Sequence, residues 1–106
     1  MSVFDLLDEI QKRPGLYLGG EETECIFRLK NLEHLLSGYA LALNQHRVKE
    51  SVSDFNREFE KYIFTTKGWS ASCGAVDAII DATETPEAAW SLYWDMVRAF
   101  RCTVDC

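Results

Sequence analysis

The chain has 106 residues, 47% of them hydrophobic and 26% charged, with three Trp, four Tyr and six Phe, which is enough apolar mass for one domain around one core without a stapling metal or disulfide. A formal net charge of -6 at pH 7 argues against direct nucleic-acid binding, which needs clustered Lys and Arg to displace counterions, and suits a basic partner instead. No stretch approaches the roughly 18 consecutive apolar residues of a membrane span.

The opening MSVFDLLDEIQKR is interrupted by Asp5, Asp8 and Glu9, unlike a signal peptide, so a folded start and a cytoplasmic protein are expected. Phe4, Leu7 and Ile10 recur at helical spacing and predict a helix over 3–12, with Ser2 and Asp5 placed as a capping box. Pro14 ends it, and Pro14-Gly15 fit the centre of a type II turn. The segment RPGLYLGG, 13–20, matches neither G-x-G-x-x-G nor G-x-x-x-x-G-K-[ST] and follows no strand, so it reads as a connection and not as a phosphate loop. Within it, Leu16 and Leu18 are expected to seal the edge of the bundle, and Tyr17 to pack near Tyr39 or Trp69.

Ile26, Leu29, Leu32, Leu36, Tyr39 and Leu43 give the strongest amphipathic pattern and predict a long helix to about residue 46, with Thr23 as candidate N-cap. Gly38 interrupts that pattern, which predicts a close neighbour or a bend there. A third helix begins near Ser53, turns Phe55, Phe59, Tyr62 and Ile63 inward, and ends at Gly68. Cys73, Val76, Ile79 and Ile80 predict a fourth, rich in small residues. The last has the clearest start, TPEAAW: Thr85 caps, Pro86 takes the first helical position, and Glu87 faces the positive end of the dipole. It runs to about residue 101 and carries a core stripe of Trp90, Tyr93, Trp94, Val97 and Phe100. With no period-two alternation, the expected fold is all-α: a compact bundle of about five helices in a single domain, 1–106.

Residues suited to chemistry are few. His34, beside apolar positions, reads as a partly buried structural histidine, and His46 complements the end of the long helix. Cys25, Cys73, Cys102 and Cys106 are irregularly spaced and read as free thiols, with no metal and no cofactor expected. Asp77 and Asp81, at i and i+4, lack a defined cleft, and no enzyme is expected. Three acidic groups remain as candidate contact residues: Glu21, Glu22 and Glu24; Asp54 and Glu58, with Glu60 nearby; and Asp77, Asp81, Glu84 and Glu87. Acids at helix starts stabilise the dipole without any partner. The same groups would also form a rim facing a basic cleft.

A short helix, KRPGLYLGG, a long helix with LEHLLSGYALA, a GW opening a small-residue helix, and TPEAAWSLYWDMVRAF follow one another along the chain. In this order they resemble the immunity proteins of contact-dependent growth inhibition systems, small bacterial proteins associated with polymorphic toxins. The resemblance runs through Arg13, Pro14, Tyr17, Gly19, Gly38, Tyr39, Gly68 and Trp69. It implies a protein that binds and neutralises the C-terminal toxin domain delivered by a neighbouring cell, frequently a nuclease and in some cases one that cuts transfer RNA. Inhibition would be occlusion of a basic active site, with contact residues inferred from charge. Two other readings stay open: a helical adaptor for a different protein partner, and a small-ligand binder using Tyr17, Tyr39 and Trp69.

Overall fold

In this computed structural model, which describes residues 2–105 and Asp105 by its backbone alone, Ser2 opens helix α1 (Val3–Lys12) through the expected capping box. The Asp5 N–H donates to the Ser2 hydroxyl, and the Ser2 N–H donates to the Asp5 carboxylate at 2.9 Å. The chain then departs from expectation. Pro14-Gly15 begin a short helix, α2 (Pro14–Leu18), in place of a type II turn. Arg13, at φ -134° and ψ 59°, breaks the path, and Pro14 supplies the fixed φ that suits a first helical position.

Helix α3 (Cys25–Gln45) is the spine and packs against α2, α4, α5 and α6. Its start is not capped by Thr23: Glu24 stands at the N-cap without a side-chain cap bond, because its carboxylate accepts from the Glu21 N–H at 2.9 Å. Gly38 lies exposed on this helix with nothing within 4 Å of where a Cβ would be, so the close neighbour expected there is absent. His34 is exposed, not partly buried, since it falls on the side of α3 away from Leu29, Leu32 and Leu36.

Asp54 caps α4 (Phe55–Lys67) by accepting from the Arg57 N–H, and Gly68 ends it at φ 70°, a left-handed conformation that glycine adopts without strain. Helix α5 (Ala75–Asp81) is shorter than the expected fourth helix and leaves Cys73 outside. Gly74 holds φ +103° before it, and a Cβ there would lie 2.8 Å from Glu33 Oε2. Thr85 caps α6 (Pro86–Asp105) as expected, accepting from the Ala88 N–H at 3.1 Å, and the helix continues beyond the expected end near 101.

The core is aromatic where α1, α4 and α6 meet. Phe100 touches Phe4, Phe55, Phe59 and Tyr62, while Phe59 also meets Tyr93 edge-on at 5.5 Å. Each such ring buries about 150–250 Å². Among the described residues there is no strand, so the protein is an all-α bundle: the five expected helices plus the short α2. None of them is long and apolar enough to cross a membrane.

Candidate functional site

The corner between α2 and α3 is built by two side chains that reach back from α3. Gly19 and Gly20 sit at φ +69° and +74°, where a side chain is strained, and a Cβ on Gly20 would also come within 2.8 Å of the Phe27 ring. Arg28 Nε donates to the Gly19 carbonyl and Nη2 to the Gly20 carbonyl, both at 3.0 Å, while Asn31 Nδ2 donates to the Leu18 carbonyl at 2.9 Å. Arg28 is buried to do so. A phosphate loop aims N–H groups at its ligand. Here the carbonyl oxygens of the loop converge on a guanidinium, so RPGLYLGG is a joint tied to the long helix.

The joint leaves apolar surface outside. Leu18 is buried as expected, but Leu16 is 71% exposed where a seal was expected, and Tyr17 and Phe27 are 38% and 47% exposed. Tyr17 forms no ring contact with Tyr39 or Trp69: Tyr39 reaches Glu50, and Trp69 lines a hollow with Asp81 and lies near Lys67. The three aromatic residues therefore share no cavity among those found.

Five of the nine candidate acids gather at this corner's end of the molecule. Glu21, Glu22 and Glu24 are exposed on the loop into α3, and Glu84 and Glu87 are exposed where α6 begins. Ile26 of α3 lines one small hollow together with Glu84 and Pro86. The buried Cys25 thiol is pushed up first by burial and then by the charge of Glu87, with Glu22 adding to it. None of the five carboxylates pairs with Lys or Arg among the described residues. The other four lie elsewhere. Asp54 caps α4 beside the C-terminal half of α3, Glu58 is exposed on the first turn of α4, Asp77 is half-buried at the start of α5, and Asp81 neighbours Trp69.

Two further carboxylates hold the frame elsewhere in the bundle. Glu50 accepts from the Val3 N–H at 3.1 Å and from the Tyr39 hydroxyl at 2.6 Å, fastening the start of α1 to α3. Burial, then this bond, pushes the Tyr39 hydroxyl up to about 12 from an ordinary 10.0. A proton held more tightly in the folded state stabilises it fully below the unfolded value, and this is lost as pH rises through the folded one. Stability is expected to fall between about pH 10 and 12, and Tyr39→Phe to flatten part of that loss in urea titrations. The Tyr93 hydroxyl is pushed up in the same direction, first by burial and then by the charge of Glu33.

Glu33 accepts from the Val76 N–H at 3.2 Å and so closes the start of α5, which has no side-chain cap of its own. Glu60 of α4 feels its charge: partial burial first, then the charges of Glu33 and Asp54, raise the Glu60 carboxyl above its ordinary 4.5. With that sign its charge opposes folding at neutral pH, and stability is recovered as pH falls through the raised value toward 4.5. Glu60→Gln is expected to melt at a higher temperature than wild type at pH 7. The gap should close as both are titrated into acid.

Among the described residues no group of three or more His, Cys, Asp or Glu is arranged to hold a metal ion. Cys25, Cys73 and Cys102 are free thiols, and Cys106 lies outside the described residues. Comparison with protein-family models, with curated proteins and with solved structures finds no match for this chain. The anchoring residues Arg28, Asn31, Glu33 and Glu50 were not among the sequence candidates. Arg28 alone had a legible sign, a cation on the same helical stripe as Cys25, Leu29 and Leu32.

Proposed function

We propose that this chain is an immunity-type inhibitor that binds a cognate toxin domain, a nuclease acting on RNA, and occludes its basic active site without doing chemistry of its own. The observation that carries this reading is the α2–α3 corner: exposed Leu16, Tyr17 and Phe27 share one end of the molecule with five carboxylates that have no cationic partner among the described residues. A nuclease must hold a polyanion, so its site is basic, and carboxylates occupy the places its phosphates would take. Opposed potentials speed encounter by about 10- to 1000-fold and disfavour wrong partners, while buried aromatic anchors supply most of the affinity. The resemblance described above supports the same reading, and the producer cell's cytoplasm is where such a protein acts. Asp54 borders the hollow at the other end of α3 and is already engaged as a helix cap, and Asp81 lines a different hollow beside Trp69.

The test is co-expression with the toxin domain encoded beside this chain's gene, scored by growth and by co-purification. Growth restored together with a stable complex is the expected result. Continued killing with no complex contradicts the proposal, and a complex without protection points to the adaptor reading.

A further inference from the structure

The opposite end of α3 carries the inverse arrangement. Where α3 stops, a groove of about 680 Å³ opens between its last turns and the strand-free segment leading to α4, lined by Leu41, Leu43, Val48, Arg47 and Lys49 with Asp54 at its edge. Leu41 and Val48 are 57% and 49% exposed. The nearby carboxylates are already engaged: Glu50 holds Val3 and Tyr39, and Asp54 caps α4. Arg47 and Lys49 enter no ion pair among the described residues.

Arg47 also sits at φ 55°, the one non-glycine among the described residues with positive φ. It occupies the left-handed position that closes a helix, with the Val48 N–H donating to the Leu43 carbonyl at 2.9 Å. Glycine fits that position without strain. The chain keeps a strained arginine there, at the rim of an apolar groove, and strain of this kind collects where a side chain is needed for a contact.

We propose that this groove receives the α2–α3 corner of a second copy of the chain, so that molecules associate head to tail. The two surfaces are complementary in kind. The corner offers protruding Leu16 and Phe27 with Glu21 and Glu22, and the groove offers a hollow with exposed Leu41 and Val48 rimmed by Arg47 and Lys49. They lie at opposite ends of a helix of 21 residues, ~30 Å long, so a single contact is heterologous and leaves a corner and a groove free for further copies, unless two antiparallel copies make it twice. The net charge of -6 repels copies at long range, which makes the association weak and concentration-dependent. The contact goes beyond the toxin-binding reading and is independent of it. It does use the same corner, so a bound toxin and a second copy exclude each other.

The experiment is sedimentation velocity of the purified chain alone, from micromolar to millimolar concentration, with two double variants whose folding is checked by circular dichroism. R47E/K49E makes the groove acidic, and E21K/E22K makes the corner basic. Wild type is expected to sediment faster as concentration rises, and each variant alone to remain monomeric. An equimolar mixture of the two should associate again, because every corner then faces a groove of opposite charge. E21K/E22K is the critical control, since it carries less net negative charge and would associate more readily than wild type if the contact were unspecific. R47G separates strain from contact: it is expected to melt higher than wild type yet associate at least tenfold more weakly. A wild type that stays monomeric throughout, a mixture that fails to associate, or an E21K/E22K that associates alone would each overturn the proposal.

Discussion

Phe59→Ala is expected to destabilise the protein by about 3–5 kcal/mol, the usual cost of truncating a fully buried aromatic ring. The side chain is completely inaccessible and meets four rings: Phe55 stacked at 5.1 Å, and Tyr62, Tyr93 and Phe100 within 6.4 Å. These partners come from α4 and α6, so the cavity left behind cannot collapse without shifting two packed helices against each other. A single domain has about 5–15 kcal/mol in total. The variant should therefore melt about 15 °C or more below wild type in a calorimetric scan. Phe64→Ala is the matched control. Phe64 lies on the same helix but is 63% exposed, and its loss should change stability by no more than about 0.5 kcal/mol.

Arg28→Ala comes next, with an expected loss of about 2 kcal/mol and a melting point lower by about 10 °C. Two charge-assisted hydrogen bonds are removed, and the Gly19 and Gly20 carbonyls are left to water. Arg28→Lys should recover little of this, because an ammonium does not span two carbonyls as a planar guanidinium does. The site consequence is larger than the stability consequence. Without Arg28 the loop bearing Glu21 and Glu22 is tied to α3 only by the Asn31 bond to Leu18 and by the weaker donation of the Cys25 thiol to the Glu22 carbonyl at 3.7 Å. Amide exchange over 19–24 should accelerate in Arg28→Ala while the α4–α6 core stays protected; uniform acceleration across the chain would mean that Arg28 holds the core and not the corner.

Helices declared themselves in the sequence wherever a local rule was enough. Ser2 with Asp5, Thr85 with Pro86, and Gly68 each placed a helix end that the fold contains, because caps act within three or four residues. The buried stripes of the long helix and the last helix were legible for the same reason. What stayed hidden depends on distant partners. Glu50 is 47 residues from Val3, and Glu33 is 43 from Val76. No periodicity connects them. Leu16 was expected to seal the edge, and only the fold shows that Arg28 and Asn31 pull the chain after it inward and leave Leu16 and Phe27 outside. Of the acidic groups, the sequence listed all three as equals. The fold separates them, drawing Glu84 and Glu87 toward Glu21, Glu22 and Glu24 because α6 starts beside the start of α3.

If the corner is the toxin-binding surface, association kinetics report on it most directly. The proposed toxin domain would be titrated with wild type, with E21K/E22K and with D77K/D81K at two salt concentrations. E21K/E22K is expected to slow association about 10-fold or more at low salt and to flatten the salt dependence, while D77K/D81K leaves both near wild type. Equal rates for all three proteins, or a larger loss from D77K/D81K than from E21K/E22K, would contradict it.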